Sequence, residues 1–318
     1  MRALLRRLIF LLGWGAMVLV LIGFLAHASQ VADTVAQFRL VLAAGLVVLL
    51  PLMLVSRQWL TAAAVMTVLA ATVLLTRPFL PWHAETTTQA VVPQEERLRV
   101  VQFNLRYDNT KLPAAIKLLQ GANADVLLLQ EVKRGTLPVL EALRARFPHQ
   151  VRCDIPHRLT TAILSRTPFI EGSQECVLRE GISRGVVTHR GSPVELVSLH
   201  LPWPWPYLQA RYIERMAPRL GRLGPDVVLA GDFNAAPWSG AVARVAHSGG
   251  LTIAPGLLLS WAPLVPGLGD APVSLLPIDH LLTKGRIRIL ARRALGKAGS
   301  DHHAILTVIA LAGAPADP

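Results

Sequence analysis

Eight polar residues stand at the ends of apolar runs that have the character of buried strands. They are Asn104, Glu131, His200, Asp232, Asn234, Asp279, Asp301 and His302. Mg²⁺ prefers oxygen ligands and keeps several waters, so a magnesium site needs few protein ligands. A carboxylate can also activate water, and an amide can donate to a phosphoryl oxygen without adding negative charge. The set therefore predicts a site that binds a hard cation and a phosphate.

The segment Asp226–Ser239 has this arrangement in its most compact form. Val227–Ala230 make an apolar run, and Gly231 is expected to end that strand before Asp232 and Asn234. Side chains two residues apart in an extended segment leave on the same face, so a proton acceptor and a hydrogen-bond donor would lie together. Gly, Asp and Asn are also ordinary turn formers, and the segment taken alone fits a β-turn equally well.

Periodicity after residue 97 predicts many strands and few helices. Strands are predicted at 98–103, 126–129, 151–153, 161–165, 175–179, 186–190, 194–199, 226–230, 278–282 and 304–309, and helices at 114–119, 137–147 and 207–220. Short β connections with a few helices indicate an α+β fold, a two-sheet β-sandwich flanked by helices. Catalytic groups collect where strands of such a scaffold end, which is where the polar residues recur.

Six motifs around these residues occur in the order typical of a known family. The motifs are VVQFNLR, DVLLLQEV, SLHLPWP, LAGDFNAAP, PIDHLL and SDHHAI. Together they resemble the endonuclease/exonuclease/phosphatase superfamily, which includes deoxyribonucleases, sphingomyelinases and inositol polyphosphate 5-phosphatases. The resemblance covers about residues 97–312. It implies the fold of that superfamily and metal-dependent hydrolysis of a phosphoester by in-line attack of water.

The resemblance also implies a metal site. The residue matching the family's principal metal ligand is Glu131, with help from Asn104 and Asp301. The expected cofactor is Mg²⁺, for which Mn²⁺ is a potential substitute. Asn104 is expected to contact the substrate as well.

The remaining motif residues match catalytic positions of the family. Asp232 is the expected proton acceptor, although His302 has that role in other accounts of the family. His302 is expected to contact the scissile phosphate and to be held by Asp279, as a buried partner fixes an imidazole tautomer. His200 would contact the phosphate or stabilise charge, and Asn234 would donate to phosphoryl oxygens.

Some positions depart from the family pattern or fit a second role. The family often has a Gly just before the strand that matches 162–166, where this chain has Thr160 and Thr161. Some members touch the phosphate with a Tyr or Arg, and Arg158 is the candidate substitute. Asp279 could instead pair with Arg286. His280 and His303 lie beside the motif residues and are expected to be structural.

The N-terminal third is far more apolar than the rest of the chain. Apolar runs at 8–26, 40–55 and 60–75 predict about three transmembrane helices. The domain plan is therefore a membrane region at 1–80, a linker at 81–96, a catalytic domain at 97–312 and a tail at 313–318. The same runs also fit a signal peptide cleaved near 26–28, or a buried soluble hairpin formed by the second and third runs.

Arginines give the expected orientation. Arg2, Arg6 and Arg7 mark the amino terminus as cytoplasmic, and Arg57 marks the turn between the second and third runs likewise. Three crossings place the catalytic domain on the extracytoplasmic side of the inner membrane. The domain stays on that side if the first run is cleaved, but not if only two of three uncleaved runs span.

The net charge of the predicted catalytic domain indicates the kind of partner that it binds. Residues 1–96 carry six Lys or Arg and four Asp or Glu, which leaves 26 basic and 16 acidic residues for 97–318, a net charge of +10. A basic domain beside a membrane suits a phosphorylated substrate, either lipid-linked or a nucleic acid.

The chain has two cysteines, Cys153 and Cys176. They would form a disulfide in an exported domain or remain buried thiols.

Three functional hypotheses follow. The first is a membrane-anchored hydrolase of a lipid-linked phosphate or pyrophosphate, the second an extracytoplasmic nuclease, and the third a catalytically inactive binding domain. An apolar rim facing the membrane would favour the first, and an open basic groove the second. The aromatic loop 202–206, beside His200, would stack a substrate, pack on the domain or enter the bilayer interface.

Overall fold

Apolar helices and alternating strands occupy separate regions of the chain. The computed structural model describes residues 2–79, 92–152, 160–177, 181–265, 269–270 and 273–312. Most of the predicted linker, the tail at 313–318, Cys153 and Arg158 therefore lie outside the described residues.

Four helices form the N-terminal region: α1 (Arg2–Gly23), α2 (Gln30–Ala36), α3 (Arg39–Val55) and α4 (Trp59–Thr76). The stretches Ala3–Gly23 and Trp59–Phe79 are each long and apolar enough to cross a membrane. The pair α2 and α3, which is bent by 56°, makes a third candidate if it counts as one span. Met17, Leu46 and Val65 pack between the helices, while many of their other leucines and valines are exposed. Exposed apolar faces of this length are what a lipid environment would cover.

Two six-stranded sheets form the centre of the described part of the chain after residue 97. The first sheet has the order β13-β14-β1-β2-β4-β3, formed by β1 (Leu98–Asn104), β2 (Val126–Val132), β3 (His149–Arg152), β4 (Thr160–Ser165), β13 (Ile287–Ala294) and β14 (Ile305–Leu311). The second has the order β5-β6-β7-β8-β12-β9, formed by β5 (Glu175–Val177), β6 (Ile182–His189), β7 (Ser192–His200), β8 (Val227–Asp232), β9 (Thr252–Ile253) and β12 (Asp279–Lys284). A separate pair joins β10 (Leu264–Val265) to β11 (Gly269–Asp270).

Four layers bury the core. Val100, Leu128, Leu196 and Val228 belong to the apolar cluster between the two sheets. The outer face of the first sheet is covered by α5 (Leu112–Gly121) and α6 (Leu137–Ala142), and that of the second by α7 (Gln209–Leu220) and α8 (Gly240–Gly249). The two-sheet sandwich flanked by helices is therefore confirmed.

The observed boundaries differ from the predicted ones at a few places. Strand β8 continues through Gly231 to Asp232, because the missing side chain lets the strand approach Leu199 of β7 closely. Helix α6 ends at Ala142, earlier than predicted. Helix α8 and strand β13 were not predicted. The sequence GAVARVAHSG of α8 has a weak apolar stripe, and the helix starts because the Ser239 hydroxyl accepts from the Val242 amide.

Cys176 is part of a disulfide and is not a buried thiol. Cys153 is the only other cysteine of the chain.

Candidate active site

The site lies where two parallel strand pairs end. Strands β1 and β2 run parallel at the centre of the first sheet, and β7 and β8 at the centre of the second. Parallel neighbours end at the same edge, so Asn104 and Glu131 come together from one sheet and His200 and Asp232 from the other. Strand β12 runs antiparallel to β8 and starts at this edge, with Asp279 paired to Asp232.

Asp232 is buried and accepts hydrogen bonds at both of its carboxylate oxygens. Its Oδ1 accepts a hydrogen bond from the Asn234 backbone nitrogen at 2.8 Å, and its Oδ2 accepts one from the Asn104 side-chain Nδ2 at 2.9 Å. The Nε2 atoms of His200 and His302 both lie 3.6 Å from Oδ2. Burial raises the pKa of Asp232 to about 8, although the charge of His302 opposes the rise. A carboxylate with a raised pKa is a stronger base than an exposed one.

His302 and Asp279 form a buried pair. His302 Nδ1 lies 2.8 Å from Asp279 Oδ2, so Nδ1 carries a proton and Nε2 faces Asp232. Burial disfavours the charged imidazolium, but the carboxylates of Asp279 and Asp232 outweigh burial and raise the pKa of His302 to about 10. The pKa of Asp279 is lowered: burial works against this, and the charge and hydrogen bond of His302 prevail.

Glu131 presents its carboxylate from an irregular strand end. Its φ of +54° lies in the left-handed region, and the register of β2 against β4 shifts between Leu129 and Val132. Oε1 accepts from Asn104 Nδ2 at 3.0 Å, and Oε2 accepts from the Tyr107 amide nitrogen at 2.9 Å. The side chain is 17% exposed, against 1% for Asp232. Glu131 is therefore more accessible to a solvated cation than Asp232 is, as is Asp301, whose side chain is 23% exposed.

The residues present fit a divalent cation. Glu131, His200 and Asp232 each offer a ligand atom, and these atoms lie within 4.8 Å of one another. Asp232, Asp279 and His302 make a second such group. Oxygen ligands predominate, as Mg²⁺ requires, and an ion with two positive charges would offset the clustered carboxylates. The groups do not identify the ion.

Asp301 stands at the edge of this cluster. Its Oδ2 accepts from the Trp261 indole nitrogen at 3.0 Å, and its Oδ1 lies 4.0 Å from His302 Nε2. Trp261 in turn packs edge-on against Trp203, with ring centroids 5.5 Å apart. The predicted ligand Asp301 is thus tied by one tryptophan to the aromatic loop after β7.

We call residues 233–239, which follow β8, the catalytic loop. Asn234 has a φ of +47°, and its Nδ2 donates to the Leu201 carbonyl at 2.8 Å. Strained conformations of this kind cluster at functional sites, where the surrounding contacts enforce them. His280 supports the loop, since its Nε2 lies 2.7 Å from the Ala235 carbonyl and burial lowers its pKa to about 4. His280 is therefore neutral, in keeping with the structural role predicted for it.

Contacts decide the roles of two positions that the sequence leaves open. Asp279 does not pair with Arg286, which instead holds Asp226 at 2.6 Å. Thr161, at the position of the missing family glycine, bridges the sheets: its hydroxyl lies 2.7 Å from the Ser183 hydroxyl of β6.

Sequence reasoning missed a polar network beneath the site. Gln102 Nε2 donates to Asp279 Oδ1 at 2.7 Å and to Gln130 Oε1 at 2.8 Å, and Gln130 Nε2 donates to the Ser198 hydroxyl at 2.9 Å. This network joins the two sheets behind His302. The signal was present in the sequence, since each of these polar side chains interrupts an otherwise apolar buried strand.

Comparisons with solved structures support the fold. The endonuclease/exonuclease/phosphatase from Beutenbergia cavernae DSM 12333 superposes with a TM-score of 0.53 at 19% identity, over 70% of this chain and 73% of that one. D. rerio TDP2, solved with a single-strand DNA product, gives 0.55 at 17% identity, over 67% and 98%. The endonuclease/exonuclease/phosphatase from Bacteroides vulgatus gives 0.54 at 15% identity, over 68% and 99%.

At the level of sequence, no curated protein matches this chain. The model of the endonuclease/exonuclease/phosphatase family does match, over residues 101–302. That range contains every residue of the site described above and nearly two-thirds of the chain. The chain therefore belongs to the endonuclease/exonuclease/phosphatase family.

Proposed function

We propose that this protein is a membrane-anchored, Mg²⁺-dependent hydrolase of a lipid phosphoester, with a lipid-linked phosphate or pyrophosphate as the substrate class. Family members hydrolyse phosphoesters, and the clustered carboxylates and histidines are suited to that chemistry. The choice of a lipid over other phosphoesters depends on the surroundings of the site.

An apolar rim beside the catalytic groups carries the proposal. We define the rim as Phe38, Trp203, Trp205, Tyr207 and Leu275, all of them between 39% and 62% exposed. Aromatic side chains with a polar end favour the membrane interface, where one end is apolar and the other wet. A rim of this kind beside the site is what a lipid enzyme needs.

The membrane region contacts the site directly. Helix α2 lies against the catalytic loop, where Trp238 Nε1 donates to the Ala36 carbonyl at 2.7 Å and Gln37 Oε1 accepts from the Ala236 amide nitrogen. The Thr34 hydroxyl donates to the Trp205 carbonyl at 3.0 Å. Because α2 leads into the apolar helix α3, these contacts support a site at the membrane surface.

The catalytic roles follow from the contacts. Glu131 and Asn104, with Asp301, would hold the metal. Bound there, the metal would offset charge on the phosphoryl oxygens and favour ionised water. Asp232 accepts the proton of the attacking water, for which its raised pKa suits it.

The histidines and amides act on the phosphate. His302 is held protonated by Asp279, so its Nε2–H can donate to a phosphoryl oxygen. His200 adds a second donor on the same side of Asp232. Asn234 Nδ2 donates to the Leu201 carbonyl at 2.8 Å and to Asp232 Oδ2 at 3.4 Å, and the hydrogen of the longer bond would turn to the substrate. Arg158 remains a candidate contact to the phosphate.

The proposed location is the inner membrane, multi-pass, with the catalytic domain on the extracytoplasmic side. Arg6, Arg7 and Arg57 line one cavity together with Trp59, so the basic residues near the start of α1 share one end of the helical region with the turn between α3 and α4. The positive-inside rule assigns that end to the cytoplasm. The domain plan of 1–80, 81–96, 97–312 and 313–318 is kept as part of this proposal.

A nuclease is the second candidate. The charge of +10 on residues 97–318 suits a phosphate backbone, and D. rerio TDP2, which shares the fold, was solved with a single-strand DNA product. The third candidate, an inactive binding domain, is disfavoured because every motif residue in the described part of the chain lies at the site.

The deciding experiment offers the full-length protein both substrate classes. Wild type, Glu131→Ala and the control Glu141→Ala, which changes an exposed carboxylate paired with Arg144, are assayed with Mg²⁺ or EDTA. A polyprenyl pyrophosphate and plasmid DNA are the substrates. We expect phosphate release from the lipid by wild type and Glu141→Ala, abolished by EDTA and by Glu131→Ala. Nicking of DNA with the same dependence, without lipid turnover, would identify a nuclease instead.

A further inference from the structure

A cavity of about 190 Å³ lies between the membrane region and the catalytic loop. Thr34, Gln37 and Phe38 line it on one side, and Trp203, Trp205 and Tyr207 on the other. It differs from the cluster of carboxylates and histidines, which needs none of these six residues. We propose that this cavity binds the apolar chain of the substrate, next to the phosphate; the inference rests on the function proposed above.

The cavity meets the catalytic groups at one end. Asn234 lines it, and the Nδ2 of this residue lies 3.4 Å from Asp232 Oδ2. Ile278 also lines it and directly precedes Asp279, the partner of His302. A molecule in the cavity would therefore place one end beside the proton acceptor.

The wall that contains Phe38 lies beside the apolar helices. Phe38 immediately precedes α3, which forms with α2 the bent pair that makes a candidate membrane span. An amphiphile with its phosphate at Asp232 would thus direct its chain from the catalytic groups toward the apolar helices. A lipid in this orientation would have moved partly out of the membrane.

Polar atoms of α2 that line the cavity are already engaged. Gln37 donates from Nε2 to the Asp33 carbonyl at 2.7 Å and accepts at Oε1 from Ala236. The Thr34 hydroxyl lies 3.0 Å from both the Trp205 and the Gln30 carbonyls. With these groups satisfied, the wall contributed by α2 offers mainly carbon surface, which suits an alkyl chain better than a sugar or a nucleobase edge.

The volume sets a length for the chain. At about 30 Å³ per group, the volume of one water molecule in the liquid, a cavity of about 190 Å³ holds roughly six groups of the size of a methylene. Each buried methylene should raise kcat/KM by about fourfold, the equivalent of about 0.8 kcal/mol. We therefore expect kcat/KM to rise over the first six or so carbons and then to level off.

The test uses the full-length protein in nanodiscs with Mg²⁺ or EDTA. The substrates are two homologous series, n-alkyl phosphates and p-nitrophenyl alkyl phosphates with chains of one to ten carbons, and dinucleotides for comparison. Phe38→Ala and Tyr207→Ala remove exposed side chains of the cavity wall and should flatten the dependence on chain length. Ile170→Ala removes an exposed apolar side chain elsewhere and should keep it. Thermal unfolding of each variant confirms folding.

The outcomes separate the two proposals. The proposed site for the alkyl chain, here called the chain site, is supported if kcat/KM rises to a plateau near six carbons in wild type and Ile170→Ala. The dependence on chain length should be weaker in Phe38→Ala and Tyr207→Ala. Metal-dependent hydrolysis without such a plateau, or with the same slope in all variants, overturns the chain site and leaves the hydrolase standing. Preferential cleavage of dinucleotides over every alkyl ester also overturns it. If neither series nor dinucleotides are hydrolysed, the proposed function fails and the chain site fails with it.

Discussion

Removal of the Asp33 carboxylate should loosen the catalytic loop from helix α2. Asp33 lies in α2, yet its Oδ1 accepts from the Gly240 amide nitrogen and its Oδ2 from the Ala241 amide nitrogen, both at 2.9 Å. These are the first amides of α8, at the end of the loop that carries Asn234. Asp33 therefore caps a helix more than two hundred residues away, and Asp33→Ala is the perturbation to make.

The magnitude follows from burial. The Asp33 side chain is 3% exposed, and Gly240 and Ala241 are buried too. Loss of the carboxylate leaves two buried backbone amides without this acceptor, which should cost about 1–2 kcal/mol each. The free energy that holds the catalytic loop against α2 should therefore fall by about 2–4 kcal/mol. That loss corresponds to a rise of about 30-fold to 1,000-fold in the population of the opened loop.

Hydrogen exchange of the full-length protein in nanodiscs, followed by mass spectrometry of peptides covering 233–249, measures this opening. The control is Arg244→Ala, which removes the ion-pair partner of Asp33 at 3.4 Å. Because Arg244 is 40% exposed, its loss should cost at most about 1 kcal/mol, roughly fivefold in exchange. Unchanged exchange in Asp33→Ala, or an equal rise in both variants, would refute the capping role.

Three further predictions concern the scaffold and the buried pair. Asp279→Asn should lower kcat at least about tenfold with little change in KM, because the imidazole loses the partner that charges and orients it; steady-state kinetics measures both. Gly231→Ala should cost about 3 kcal/mol, since a Cβ there collides with a backbone carbonyl of β7, whereas Gly121→Ala, in open space, should be tolerated. Thermal unfolding compares those two, and it should also show Cys176→Ala destabilised by roughly 3 kcal/mol through loss of the disulfide.

The strand-end residues were predictable because their placement is local. Apolar runs before Asn104 and Asp232 mark buried strands, and parallel central strands must end at one edge. The family motifs then predicted which residues form the site, and the family match over residues 101–302 confirms the family itself. What each residue does remains a proposal.

The contacts made by α2 were not predictable in the same way. Asp33 and Gln37 appear in the sequence as ordinary polar residues between apolar runs, and nothing local indicates partners at Gly240 or Ala236. The buried Gln102 is a similar case, because its role depends on a hydrogen bond to Asp279 in the opposite sheet. Such pairings arise only when distant segments pack, which a linear pattern does not encode.

The most direct test of the proposed function is turnover of a lipid phosphoester by the full-length protein in nanodiscs, measured for wild type and Asp232→Asn with and without Mg²⁺. We predict release of phosphate by wild type with Mg²⁺, no release without it, and a rate lower by about a thousandfold in Asp232→Asn, since the proton acceptor is gone. Equal rates in the two proteins, or turnover that persists without a divalent ion, would contradict the proposed function.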